Sequence, residues 1–406
     1  PVSADGTAIP SGRVGSRQPS ESIQRNLDAL FFVLILVYIC TLIFLFMIKF
    51  KSLLLCLSAL IATFNLYAQD NTSYSITKKG LVKTVETSEG SQEYNVLKPI
   101  MVLKSNYQLD AEEGFSRFAV ESARLGVQGE ASKVFSYRFL VDFCAENKLT
   151  VLDLYFVVKP SERLSFTFGQ QGLSLYNPWT VSPNSVDFIN RPFVGKYFTS
   201  SRDIGVSMKY AIKKEGFPIN VEFGVYNGSG INNPTWNKSV ATGGRLEFGS
   251  PKQGFRATAK FFNQRKDGYT DLFAGADVRY ENPKLKIEAE YMSKKYGQEL
   301  DGAYNPDYLG AAYLEGMLKF KANGNIIKGI EPLVRWDAMG YDILDRGFGV
   351  NRATAGVNFV LNTGAITSMF KVNYEQYFNS SMNLSQLFKS ATDNQNRFSL
   401  EYLMFF

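Results

Sequence analysis

From about residue 97 onward the sequence repeats one pattern: short segments in which apolar and polar residues alternate, roughly sixteen in series. A period of two places the two sets on opposite faces of an extended strand. In the third segment Phe135, Tyr137, Phe139, Val141 and Phe143 fall on one face, and Ser136, Arg138 and Asp142 on the other. Leu152, Leu154, Phe156 and Val158 repeat this around Asp153, and Ile204, Val206, Met208 and Tyr210 around Lys209. One such segment describes any amphipathic strand. A long series, each near the ten residues a tilted strand needs to cross a bilayer, describes a closed barrel with its apolar face toward lipid. The expected fold is all-β: a transmembrane antiparallel β-barrel of about 16 strands over residues 97–406, with one long loop folded inward.

Composition and connectors agree. Hydrophobic residues make up 45% of the chain, yet the mean hydropathy is −0.12. A helical membrane bundle needs several apolar runs of about 20 residues, whereas alternation cancels in the average. Short connectors at 130–133, 159–162, 213–216, 250–254, 282–284 and 323–329 alternate with longer ones at 172–201, 226–240, 296–309, 340–351 and 379–395. That rhythm fits periplasmic turns and outer loops. In the last segment Phe398, Leu400, Tyr402, Met404 and the terminal Phe406 alternate with Arg397, Ser399, Glu401 and Leu403. A terminal aromatic with apolar residues at every second position upstream resembles an outer-membrane assembly signal. The barrel-assembly machinery and outer-membrane lipid are therefore expected partners, and the outer membrane of a Gram-negative bacterium the expected location.

The N-terminal region reads as processing. From Met47, Lys49 and Lys51 precede the apolar run Leu53–Leu66, and Leu66-Tyr67-Ala68 forms a cleavage site. Residues 47–68 are expected to be a signal peptide and residues 69–96 a periplasmic segment. Residues 1–46 contain the apolar stretch Leu30–Phe46. They read as an upstream extension, with Met47 as the true start, or alternatively as a membrane anchor.

The sequence contains no histidine, which removes Ser-His and His-metal chemistry. No catalytic residue, metal, cofactor or nucleic-acid partner is expected. A barrel this wide leaves an aqueous channel unless something fills it, and residues 69–98 are too few for a globular plug. The connector 172–201 lies where it can fold inward and narrow the channel; it carries Trp179, Arg191 and three prolines. With five basic and three acidic residues in 1–68, the remainder carries 39 basic and 35 acidic. Strand parity and the inward loop give the anion-guiding candidates Arg124, Arg138, Arg191, Lys196, Arg202, Lys209, Arg256, Lys260, Arg335 and Arg352. The expected function is passive diffusion of small hydrophilic, anionic solutes. The alternative is a structural or adhesive barrel with a closed lumen.

Several short runs resemble the phosphate-selective porin O and P family: Phe118–Gly129 with the strand that follows, Phe168-Gly169-Gln170, Phe188–Phe193, Ser201–Val206, Val334–Asp337 and Ala355–Phe359. The resemblance covers the barrel and implies a homotrimeric porin of sixteen strands, with a ladder of lumen arginines and a lysine-rich constriction. This chain departs from that pattern, because its long loop offers only Arg191 and Lys196, with Arg202 just after it, and acidic residues are interleaved along the wall.

Overall fold

The computed structural model describes residues 72–77, 80–87, 90–144, 148–214, 216–250, 253–266, 268–298, 306–364, 366–378, 381–388 and 394–406. The expected signal peptide and upstream extension lie outside the described residues. Sixteen antiparallel strands form the barrel. They are β1 (Gly90–Asp110), β2 (Ser116–Glu130), β3 (Phe135–Asp142), β4 (Thr150–Val158), β5 (Leu164–Gly172), β6 (Arg202–Lys213), β7 (Ile219–Tyr226) and β8 (Ala241–Gly249). The second half comprises β9 (Gly254–Lys266), β10 (Tyr269–Glu281), β11 (Leu285–Lys295), β12 (Tyr308–Leu318), β13 (Gly329–Tyr341), β14 (Val350–Thr363), β15 (Thr367–Phe378) and β16 (Arg397–Phe405).

Each strand pairs with the next, and β16 returns to β1 in a register running from Arg397↔Asp110 to Phe405↔Val102. Met101 and Phe406 add two more backbone bonds, at 3.2 and 3.1 Å. The terminal residue thus lies in the closing ladder, and closure leaves no strand edge to be satisfied in lipid. The ladder between β1 and β2 begins at Lys98↔Gln128. The preceding stretch of β1 pairs instead with the strand Gly80–Thr87, in a separate small sheet.

The exterior follows the alternation. Leu125, Phe139, Phe156, Phe223, Phe261, Ile287, Leu314, Val334 and Tyr402 are all exposed and face outward, whereas their neighbours Arg124, Lys260, Arg335 and Glu401 are buried and face inward. Two face assignments need correction. The β3–β4 register slips between Leu140 and Val141, so Leu152 becomes an extra residue with no partner of its own. Leu152 is 5% exposed against 57% for Leu154, and Val141 is buried as well.

The interior departs more from the simple pattern. Near the loop end of β7–β14 the inward face is apolar: Tyr226, Phe262, Phe273, Met292, Leu309, Tyr313, Met339 and Val350 form one cluster. The connector between β5 and β6 folds into the lumen and fills that cluster with Leu175, Val181, Phe193, Val194, Tyr197 and Phe198. Met382 and Leu384, from the connector between β15 and β16, join it from above. One side of the lumen is therefore a solid core and not a water-filled tube.

Val334 tests the outward face directly. Val334→Arg places a guanidinium in lipid mid-strand and should cost about 2–4 kcal/mol near the bilayer midplane. Denaturant unfolding of the barrel refolded in lipid vesicles measures this loss.

Candidate functional site

The inward loop sets the geometry of the lumen. Leu173 N donates to Ser201 O at 3.0 Å, and Tyr176 Oη donates to Thr199 O at 2.8 Å, drawing the two ends of the loop together. A four-residue helix, α1 (Pro178–Val181), follows, with a 3₁₀ turn at Phe193–Gly195. The two pack so closely that a Cβ at Gly195 would sit 2.1 Å from Thr180 O, so only glycine fits there.

On the β8–β12 side the loop meets a dense layer of ion pairs. Asn177 is fully buried and its amide donates to Asp277 at 3.0 Å and to Glu290 at 3.3 Å. Asp277 pairs with Arg256 and, at 3.2 Å, with Lys260; Lys260 also pairs with Glu290. Trp179 lies on this layer with its ring 3.9 Å from the Arg256 guanidinium and 4.6 Å from that of Arg279, within cation–π range. Arg245 donates to the carbonyls of Ser174 and Tyr176. Opposite charges here are matched and shut away from water.

Further along, the extended segment Val186–Arg191 crosses the lumen to the wall formed by β13–β15 and β1. Lys371 Nζ donates to Val186 O at 2.8 Å, Asn358 Nδ2 to Asp187 O at 3.1 Å and Lys104 Nζ to Ile189 O at 2.8 Å. Arg335 donates to Asn190 O at 3.0 Å and Arg352 to Arg191 O at 2.9 Å. Phe188 stacks on Arg335 at 4.4 Å and Phe193 on Arg352 at 4.6 Å. Asp337 pairs with both arginines, at 2.9 and 3.1 Å.

Among the described residues, open space along β1–β3 includes three cavities at successive heights. The middle cavity, about 310 Å³, is lined by Lys104, Arg124, Arg191, Lys196 and Arg352, with Glu121 as its one carboxylate. Toward the loop end, a cavity of about 210 Å³ holds Arg117 and Arg397 against Asp110. Toward the turn end, one of about 380 Å³ holds Lys98 and Arg138 against Glu130.

Of the ten anion-guiding candidates, the structure brings Arg124, Arg191, Lys196 and Arg352 together around the middle cavity and places Arg138 at the lower one. Arg124 pairs with Asp142 at 2.9 Å. Arg138 and Arg202 share Asp153, at 2.8 and 2.7 Å. Lys209 is exposed on β6, beside Glu222 in register. Arg256, Lys260 and Arg335 are buried in the paired layers, away from all three cavities. Sequence reasoning omitted Lys104, although the alternation Val102, Lys104, Asn106, Gln108, Asp110 carried the signal.

Two loop cations stand apart. Among the described residues, Arg191 has no carboxylate within ion-pair distance, and enclosure by protein followed by Arg124 and Arg202 brings its pKa down to about 10. It stays charged at neutral pH. Lys196 reaches lumen water, but the surrounding protein and then Arg352 push its pKa down to about 8. Its charge is therefore lost well before that of an ordinary lysine, near 10.4.

No family model and no curated protein matches the sequence. Solved structures do resemble the fold. The outer membrane channel DcaP of Acinetobacter baumannii is similar with a TM-score of 0.54 and 13% identity, over 79% of this chain and 99% of that one. The anion-selective porin from Comamonas acidovorans gives a TM-score of 0.53 at 10% identity, over 76% and 98%. OmpT of Vibrio cholerae, in its trimer form, gives 0.51 at 12% identity, over 77% and 99%. At such identities the likeness concerns the fold alone: a closed sixteen-stranded barrel of the outer-membrane porin type. With its apolar exterior, the chain is an outer-membrane β-barrel.

Asp277 holds Arg256 and Lys260 in the paired layer. Asp277→Ala leaves Arg256 with only a 3.9 Å contact to Glu247 and Lys260 with Glu290 alone, and should destabilise the barrel by roughly 3–5 kcal/mol, the usual effect of breaking a buried pair. Lys209→Ala, at an exposed site, should leave the unfolding midpoint nearly unchanged, as denaturant titration of both variants will show.

Proposed function

We propose that this chain is a porin that passes small hydrophilic solutes by diffusion and prefers anions. The observation that carries this reading is the separation of charges across the lumen. Most wall carboxylates are buried on the packed side against their own lysines and arginines, where they exert little field on the remaining space. The three cavities have five, two and two basic residues against one acidic residue each. Around the middle one, Lys104 is paired with Glu401, Arg124 with Asp142, and Arg352 with Asp337 and Glu375, so among the described residues its excess positive charge comes from Arg191 and Lys196. Potential in a pore depends on the charges that line its water and not on the total for the chain.

Turns would then face the periplasm and loops the exterior, with residues 69–96 on the periplasmic side. The trimer form of the Vibrio cholerae protein supports a homotrimer here. The short family-like motifs favour phosphate-like oxyanions among the possible solutes, since guanidinium groups such as Arg124 and Arg191 bind them with paired donors. A closed adhesive barrel is disfavoured by the cavities along β1–β3.

Planar-bilayer reversal potentials in a potassium chloride gradient test the reading. Chloride should be preferred at pH 7, and the preference should weaken as the pH rises through about 8, where Lys196 loses its proton. Lys196→Gln should remove most of that pH dependence. A preference for potassium at pH 7 would overturn the proposal.

A further inference from the structure

Five of the six consecutive carbonyls from Val186 to Arg191 are taken by side chains of the barrel wall: Lys371, Asn358, Lys104, Arg335 and Arg352. This stretch of the loop has no strand or helix partner, so its backbone acceptors need donors from elsewhere inside the barrel. The donors come from four strands, β1, β13, β14 and β15. Lys371, Asn358 and Arg335 are at most 2% exposed and line none of the three cavities. A wall cation that served passing anions would need to line open space, and Lys371 and Arg335 line none of these cavities.

We propose that Lys371, Asn358 and Arg335 are positioning residues that clamp the loop backbone and thereby set the bore of the pathway, without touching the solute. This rests on the porin reading above. It divides the basic residues of the lumen into two functions that chemistry alone does not distinguish. Lys371 and Arg335 fix where the loop lies. Arg191 and Lys196, carried by the loop and facing the cavity, act on the charge of what passes. Lys104 and Arg352 do both, since each donates to a loop carbonyl and also lines the middle cavity. Asn358 is the informative member, because it makes the same contact with no charge. Its neighbours on the loop side include Asp187, held by Lys286, and Phe188, which sits on Arg335, so removing one clamp loosens the segment without freeing it.

The experiment pairs two readouts on the full-length barrel in planar bilayers. Single-channel conductance, with the polyethylene glycol size that still enters the channel, reports the bore. Reversal potential in a potassium chloride gradient reports charge preference. Asn358→Leu and Lys371→Met should each raise conductance by roughly half or more, admit larger polymers and leave the reversal potential within a few millivolts. Lys371→Arg should restore the parental conductance, since it again donates to Val186 O. Arg191→Gln should shift the reversal potential toward potassium and leave the polymer limit unchanged. The clamp proposal is overturned if Asn358→Leu leaves both conductance and polymer limit at the parental value. It is equally overturned if Lys371→Met shifts the reversal potential as far as Arg191→Gln does. Heat-dependent gel mobility, recorded for every variant, separates a lost clamp from a barrel that never closed. Absence of any channel from the well-folded parent would refute the porin reading itself, a different result from either clamp failure.

Discussion

A peptide segment cannot cross the inside of a membrane barrel unless its carbonyl and amide groups find partners, and the loop between Leu173 and Ser201 meets this requirement in two ways. Its ends and short helical turns satisfy each other and bury Leu175, Val194 and Phe198 in an apolar core against β7–β14. Its extended middle, Val186–Arg191, is held by wall donors. The core lies against β7–β14, and the clamps come from β13–β15 and β1. The lumen is divided as a result, with open space along β1–β3. The position of the cavities and the charges that line them both follow from where that loop backbone can be accommodated.

The division also explains how a chain with nearly balanced charge can line a cavity with basic residues. Buried ion pairs contribute little net field outside their own layer, and breaking one is costly because the surviving charge is left without water. Asp277, Glu288, Glu290 and Asp337 are each at most 3% exposed and each accompany a cation. They serve the packing of the loop. Arg191 and Lys196 lack such partners among the described residues and project from the loop toward open space. Counting residues along the sequence weights both groups equally; the fold does not.

Much of the architecture was legible in the sequence because period-two alternation is a local property. The sixteen strands, the alternation of turn and loop lengths, the closing strand ending at Phe406 and the inward loop all follow from it or from connector length. The exceptions are equally physical. A β-bulge at Leu152 reverses faces without a local warning. The apolar inner core was signalled only where both faces of a strand are apolar, as at Phe261-Phe262, Leu272-Phe273 and Tyr291-Met292. Which inward cations meet water was not legible at all. Arg335 and Arg124 look alike in sequence, and their difference depends on a loop more than a hundred residues from Arg335 in the chain.

The central claim is that water and solute occupy one side of the lumen while the other is packed solid. Cysteine accessibility tests it most directly, in a Cys144→Ser background that removes the one cysteine among the described residues. A negatively charged thiol reagent added to the open channel should block current through Glu121→Cys, which faces the middle cavity, and leave Thr258→Cys, buried on β9, conducting as before. Equal block at both positions would contradict the account.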